Sequence, residues 1–439
     1  MTYNSYEVLI IIVLTISLVV KVPVRLFNII SLICLTILFA NFDLITYDIT
    51  VWESIIKILC VIIGIVIINI DRSNVLDNSN VLMLCIILAS MVMISTTNLL
   101  ALYLCVELQS LSIFILIARR REIITKIEAS LKYFVLSSIS SGLFLLGSSI
   151  IFLKTGGCEL SSITSNLFNS EKSLIIVALL FKLAASPFHF WSPDVYQGSD
   201  NKALAVLGTL PKISIFGIFM LLLPNAKLLL LATTLSLITG SIGAINQVKI
   251  KRLLAYSGIL AMGFILLGMN SSTYGGLESS LTYIIIYIVT FLGIILITEY
   301  VIKEKSTIIE FSNFLGSNAP IIGAFVIFLF SMAGVPPLGG FLAKWFVISS
   351  AMNSNFLLLS ILSIICAMIA GVYYLRLVKI AYFQQDKLFL IWRKIILKDR
   401  NVSYSHGIVL GTILYSISFF LISPQIVQEL IHFGVLSTF

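Results

Sequence analysis

Residues 181–198 read FKLAASPFHFWSPDVYQG and close an apolar run that begins near residue 172. Lys182 stands five residues before Pro187, and a second proline follows at Pro193. A proline inside a helix deletes one backbone hydrogen bond and bends the rod. Within lipid the freed groups must be met by neighbouring protein or by water, because hydrocarbon offers no partner. A charged side chain at mid-bilayer costs a further ~2.5–3.5 kcal/mol on insertion scales. The run therefore predicts a spanning helix broken near its middle, with a charge and an opening for water at the break. Residues 330–346, FSMAGVPPLGGFLAKWF, repeat the combination, with Pro336-Pro337 seven to eight residues before Lys344.

The composition around these runs requires a membrane. Of 439 residues, 59% are apolar and 11% charged, against ~45–50% and ~25% in soluble domains. The mean hydropathy is +1.09. No water-facing surface can be built from this composition, which excludes a soluble enzyme. The net charge of +8 comes from 28 Lys+Arg against 20 Asp+Glu. In a membrane chain that excess indicates basic cytoplasmic loops and not nucleic-acid binding. The six cysteines, Cys34, Cys60, Cys85, Cys105, Cys158 and Cys366, form no CxxC pair for iron–sulfur or zinc ligation. His189, His406 and His432 show no paired-ligand spacing, and no GxGxxG or P-loop sequence is present. The chain is thus expected to hold no cofactor or metal of its own. Its opening residues, MTYNSYEVLIIIVL, lack a basic n-region and a small-residue cleavage site. They are read as the first membrane helix and not as a removable signal.

Fourteen apolar segments are long enough to span: 7–20, 24–41, 52–70, 80–97, 99–118, 126–153, 172–197, 202–223, 226–246, 251–270, 277–302, 319–350, 355–384 and 407–423. The expected fold is therefore all-α and polytopic, with about 14 transmembrane helices. Runs this long do not fit the short alternating strands of an outer-membrane barrel. The break at 97–99, between segments 4 and 5, is barely visible. Charge supports the count. Loops after odd-numbered segments hold 18 basic residues and loops after even-numbered ones hold 3, Lys154, Lys172 and Lys227. That asymmetry follows the positive-inside rule and places both termini opposite the basic loops. The triple Arg119–Arg121 reads as a topology anchor, with lipid headgroup or subunit contact as the alternative. The two broken segments, 7 and 12, lie five apart, so segments 4–8 and 9–13 could form two five-helix repeats of inverted topology. The organisation expected is a three-helix module at 1–78, a first repeat at 79–224, a second at 225–386, and a loop with a C-terminal helix at 387–439. Part of that loop, 386–406, is expected to lie along the membrane interface.

Besides the basic residues at span edges, which are counted with the loops, seven fall inside spans: Lys57, Lys132, Lys182, Lys212, Lys344, Arg376 and Lys379. Lys57, Arg376 and Lys379 lie near helix ends, where long stems can snorkel to the interface. Glu107, Lys182 and Lys212 are near mid-span and cannot. Lys132 is intermediate. One reading of such residues is a buried ion pair that fixes helix packing. The other is proton transfer. Burial favours the neutral amine and a nearby carboxylate favours the ammonium, so a Glu–Lys pair that forms and separates loads and empties the lysine. Arginine cannot do this, because it keeps its proton in proteins. The candidate carriers here are all lysines.

Several motifs resemble one family. LYLCVELQSL around Glu107, LKYFVLSSISSGLFLLGSSIIF around Lys132, FKLAASPFHFWSPDVYQG around Lys182, TLPKIS around Lys212, IKRLLAYSGILAMGF in segment 10 and FSMAGVPPLGGFLAKW around Lys344 resemble chain 2 of NADH:ubiquinone oxidoreductase. That family is an antiporter-like membrane subunit of respiratory complex I. The resemblance runs in order through segments 4 to 12. It implies that Glu107 partners the segment 7 lysine, Lys182. It implies that Lys212 belongs to a central polar axis and Lys344 to a second half-channel. A lysine at 344, where the paralogous chain 4 is expected to carry glutamate, favours chain 2. His189, beside the first break, is either a relay or a hydrogen-bonded structural histidine. Two positions depart from the family pattern. Ala261 stands where a histidine is common, so that water or Tyr256 and Ser257 would have to bridge, and Gln197 replaces a common glutamate.

The function this implies is proton translocation through a buried Glu/Lys chain, in a subunit of NADH:ubiquinone reductase without a redox centre of its own. NADH, flavin, iron–sulfur clusters and ubiquinone are expected in partner subunits. Expected partners are the other membrane-arm subunits, including the paralogous antiporter-like ones, and the lipid bilayer, with no nucleic acid. The alternatives are a free-standing cation/proton antiporter of the same fold and a structural assembly subunit. The mitochondrial inner membrane is the favoured location, with a bacterial plasma membrane as the alternative and both termini on the intermembrane-space or periplasmic side.

Overall fold

In the computed structural model the described residues are 51–70, 79–119, 122–160, 169–222, 226–301, 319–383 and 404–436. They form sixteen helices: α1 (Val51–Ile68), α2 (Ser79–Ser95), α3 (Leu99–Ile117), α4 (Ile124–Thr155), α5 (Asn169–Leu183), α6 (Trp191–Gly198), α7 (Asn201–Gly208), α8 (Leu210–Leu222), α9 (Ala226–Ile245), α10 (Ile250–Asn270), α11 (Tyr274–Val301), α12 (Ala319–Ala333), α13 (Gly339–Asn353), α14 (Leu357–Phe383), α15 (Tyr404–Ile422) and α16 (Pro424–Leu436). Among the described residues, seven helices are long and apolar enough to cross a membrane. Expected segments 3 to 14 each fall on one helix or on a helix pair. Segments 1 and 2 and the loop 386–403 lie outside the described residues.

The chain divides into two compact units. The first comprises Met1–Ala184, Lys202–Leu228 and Leu430–Phe439, and the second Ala185–Asn201 and Leu229–Glu429. In the first, α1 to α5 pack in sequence order, and α8 lies against α1, α2 and α5. In the second, α11 packs on α10, α12, α13 and α15, and α10 also meets α6 and α13. Depth differs sharply between helices. The apolar window of α10 is 94% buried, whereas those of α4 and α14 are each 39% buried. Helix α10 is therefore interior, and α4 and α14 keep one face for lipid or for other chains.

The faint break at 97–99 is a clamped turn. Asn98 accepts a hydrogen bond from the Leu100 amide at 3.0 Å, capping α3. The Leu99 amide donates to the Cys158 carbonyl and the Leu160 amide to the Thr97 carbonyl, each at 2.8 Å. The loop after α4 thus holds the start of α3. It begins at Gly156, whose φ of 71° ends α4 in the left-handed conformation.

Both prolyl breaks have one backbone pattern. The first half-helix stops at Leu183 or Ala333, and the next residue, Ala184 (φ 58°) or Gly334 (φ 82°), is left-handed. A cis peptide follows at the same offset, Ser186–Pro187 and Pro336–Pro337. Glycine is needed at 334 for a second reason. A β-carbon there would lie 2.8 Å from Lys344 Cδ and 3.2 Å from its Nζ.

Two expected segments need refinement. Segment 202–223 holds as one apolar span, Asn201–Leu222, with a local interruption at Thr209 between α7 and α8. Pro211 is the cause. It sits in the first turn of α8, where a missing N–H costs nothing, but where the helix must restart. The C-terminal region also holds a second helix, α16, beyond the expected end at 423. Pro424 starts it, and its 13 residues are too few to register as a spanning run.

Gly334→Ala is expected to destabilise the protein by about 1–3 kcal/mol from backbone strain alone. Thermal inactivation of the detergent-solubilised protein should fall to a lower midpoint. Gly371→Ala, a helical site with no atom within 4 Å of the added carbon, should leave the midpoint unchanged or raise it slightly.

Candidate functional site

Three helices of the first unit bring charged residues together. Glu107 sits in the middle of α3 and accepts a hydrogen bond from Ser110 at 3.3 Å. Its carboxylate lies within electrostatic range of Lys182 on α5 and of Tyr133 on α4. Lys182 is 9% exposed, and its Nζ makes no hydrogen bond among the described residues. Lys212 is 3% exposed on α8, which packs directly on α5. A further link joins α3 to α8, where Gln109 Nε2 donates to Ser214 Oγ at 3.4 Å. Helix α8, which carries Lys212, thus meets both α5, which carries Lys182, and α3, which carries Glu107.

An ammonium carries three donors and no acceptor. Holding one in a dry site without a hydrogen bond is costly, and a carboxylate within reach offsets part of that cost. The Glu107–Lys182 arrangement is thus a loosely held charge pair and not a closed salt bridge. Such a pair can separate without first breaking a tight contact.

The second unit seats Lys344 differently. Its Nζ donates to the carbonyls of Met332 at 2.9 Å and Ala333 at 2.8 Å. These are the last carbonyls of α12, which have no partner inside their own helix because the chain breaks there. The C-terminal end of a helix also carries partial negative charge, which favours a cation. The Phe264 ring lies 5.5 Å from the same Nζ. The break and the lysine, seen in the sequence as neighbours, are one hydrogen-bonded unit.

The other candidates are not gathered in this way. Lys132 points outward from α4 and pairs with Glu128 at 2.8 Å, the side chains being 42% and 60% exposed. His189 lies in the first break, half-buried and stacked on Phe190 at 4.6 Å, with its Nδ1 unbonded among the described residues. Lys57, expected to snorkel, is instead buried and lies 3.8 Å from Glu53 one turn earlier. Arg376 donates to the Ile245 carbonyl at 3.2 Å from an exposed position, and Lys379 is exposed.

Sequence reasoning missed two features. The short helix α6 is tied down at its end. Asp194 meets Arg252 at 3.2 Å, and Lys251 donates to the Ser199 carbonyl at 2.6 Å. Asn201 follows it and hydrogen-bonds to Glu299. The second feature is a group of buried tyrosines, Tyr283 and Tyr287 of α11 with Tyr373 and Tyr374 of α14. The four-residue spacing in YIIIY was the available signal. Near Ala261, Tyr256 packs on Gly243, and Ser257 donates to the Leu254 carbonyl at 2.9 Å.

A family profile described as NADH:quinone oxidoreductase/Mrp antiporter, TM, matches residues 96–370. The chain belongs to that family. NADH-ubiquinone oxidoreductase chain 2 of Metridium senile is 39% identical over 373 residues, covering 82% of this chain and 97% of the relative. NADH-quinone oxidoreductase subunit N of Pelagibacter ubique (strain HTCC1062) is 36% identical, covering 70% and 69%. Solved structures share the fold. A chain of respiratory complex I from Thermus thermophilus with bound Aureothin superposes with a TM-score of 0.83 at 23% identity, over 97% of this chain and 98% of that one. A chain of the Mrp complex from Dietzia sp. DQ12-45-1b gives 0.82 at 14% identity, over 98% and 96%. The fold is that of this family's all-α polytopic membrane proteins.

Since Lys132 faces outward and has Glu128 beside it, Lys132→Met is expected to retain more than half of the coupled proton transfer seen in sealed vesicles. A loss as deep as that of Lys182→Met would place Lys132 on the path.

Proposed function

We propose that this chain is a proton-translocating membrane-arm subunit of a respiratory NADH:quinone oxidoreductase, moving protons through Glu107, Lys182, Lys212 and Lys344. The observation that carries the reading is the buried Lys182 ammonium, which has no hydrogen bond among the described residues and has the Glu107 carboxylate in electrostatic reach. Such a lysine holds a proton while the pair is close and gives it up when the carboxylate turns away. The Lys212 helix, packed on that of Lys182, supplies the next carrier. Lys344 ends the line on carbonyl oxygens that hold a cation without quenching it.

Oxidoreduction, with NADH, flavin, iron–sulfur clusters and quinone, falls to partner subunits. The outward faces of α4 and α14 suit neighbouring membrane chains, including the paralogous antiporter-like subunits. The common pattern of the two breaks supports the reading of 79–224 and 225–386 as repeats, between a module at 1–78 and a C-terminal part at 387–439. The mitochondrial inner membrane, with both termini on the intermembrane-space side, suits the Ile-rich composition and the basic-loop asymmetry. Membership of a family that includes Mrp antiporters keeps a second reading, cation/proton exchange by the free chain. Proton flux driven by a cation gradient in liposomes holding this chain alone would favour it.

The test is Lys182→Met in the assembled enzyme, in sealed vesicles, after native-gel confirmation of assembly. Protons translocated per NADH oxidised are expected to fall by at least half. Unchanged oxidation and translocation would remove Lys182 from the relay, and failure to assemble with normal specific activity of the residual enzyme would favour a scaffold.

A further inference from the structure

Within the second unit, α11, α13 and α16 enclose a cavity of about 190 Å³. Glu278, Ser279 and Thr282 of α11, Ser350 and Asn353 of α13, and Gln428 of α16 lie on its wall. Glu278 is the one ionisable group among the lining residues, so the charge the wall offers is negative. The space is ample for more than one water, and the lining offers each several polar partners.

The polar lining continues inward from there. Ser279 and Ser350 are buried and hydrogen-bonded to each other at 3.0 Å. Ser350 is buried, like Lys344, and lies six residues further along α13, about 9 Å along the axis and about 120° around it. On α11, Glu278, Thr282, Ile286 and Thr290 follow one another at four-residue steps, each a neighbour of the next, in a row that winds about 40° around the helix per step. Thr290 at the far end meets Met332 Sδ at 3.1 Å, and the Met332 carbonyl holds the Lys344 ammonium. A winding row of neighbouring side chains therefore links the cavity to the seat of the lysine. Ile286 is its apolar step and is 8% exposed.

Glu278 lies in the second turn of α11 and Asn353 is the last residue of α13. The cavity thus sits at the end of the bundle where the turns 271–273 and 354–356 lie. Neither turn holds a basic residue, which assigns this end to the membrane face opposite the basic loops.

We propose that this cavity is the aqueous mouth of the Lys344 site and that Glu278 is the carboxylate that exchanges protons with bulk water there. The proposal rests on the proton-translocating reading above. In release, an N–H bond of the Lys344 ammonium breaks as an O–H bond forms on an adjacent water. The excess proton passes along water beside Thr282 and binds the Glu278 carboxylate. Glu278 loses it to bulk water, and Lys344 is left as a neutral amine until it is reloaded from the buried line.

The experiment uses the assembled enzyme in sealed vesicles. Glu278→Gln is expected to lower protons translocated per NADH oxidised by at least half, and Glu278→Asp to restore most of the loss. Thr282→Cys should react with a charged, membrane-impermeant maleimide from the face opposite the basic loops and from that face alone, against the unmodified chain as background. Full translocation in Glu278→Gln, with loss in Lys182→Met, overturns the outlet and leaves the buried relay standing. Full translocation in both overturns the relay and the outlet with it. Should Glu278→Gln fail to assemble, the cysteine decides. Labelling from the stated face supports the mouth, and no labelling or labelling from the other face overturns it.

Discussion

A backbone carbonyl freed inside the membrane has to find a donor in the protein or in water. Much of the second unit follows from that constraint. Breaking the chain at Gly334 frees the last carbonyls of α12, and the ammonium of Lys344 is what satisfies two of them. The lysine is admitted to the interior because the break prepared acceptors for it. The break in turn is tolerated because a donor with a long stem reaches back to close it. Gly334 joins the two by adopting a left-handed conformation and by leaving room for the lysine stem.

The other break solves the same problem with a different remainder. Lys182 belongs to the first half-helix itself and sits in its last turn. No hydrogen bond reaches its ammonium among the described residues. Glu107 compensates through space from α3 and not through contact. One ammonium is therefore held by fixed dipoles and the other by a carboxylate on a neighbouring helix.

Much of this was legible in the sequence, for physical reasons. Hydrophobic runs bounded by charge give spans, since lipid leaves helices as the only economical form, and the expected positions of α1 to α5 and α9 to α14 agree with the structure to within a few residues. Glu107, Lys182 and Lys212 were recognisable because a charge far from any helix end is rare and costly. Other features depend on direction, which apolar run length does not encode. Lys132 lies two turns into its helix, but which side of α4 it occupies was not evident, and that side is open. Lys57 was taken for a snorkelling residue although Glu53 stands one turn before it on the same face. The interruption at Thr209 was announced by Pro211 and passed over because the surrounding run stays apolar. Helix α16 escaped because its 13 residues fall short of a spanning run. The pairing of Lys344 with α12 needed coordinates, since nothing in the sequence says that a side chain folds back across its own break.

The seat of Lys344 is made of main chain. Side-chain partners can be lost by a single substitution, but a carbonyl belongs to every residue type. Replacement of Met332 or Ala333 would alter the packing around the ammonium and still leave two oxygens facing it. What this seat cannot survive is a change in chain length. One residue inserted or deleted within α13 ahead of Lys344 would rotate the lysine by about 100° and turn it away from the oxygens. The seat of Lys344 is therefore protected against point mutation in its acceptors and exposed to changes of spacing.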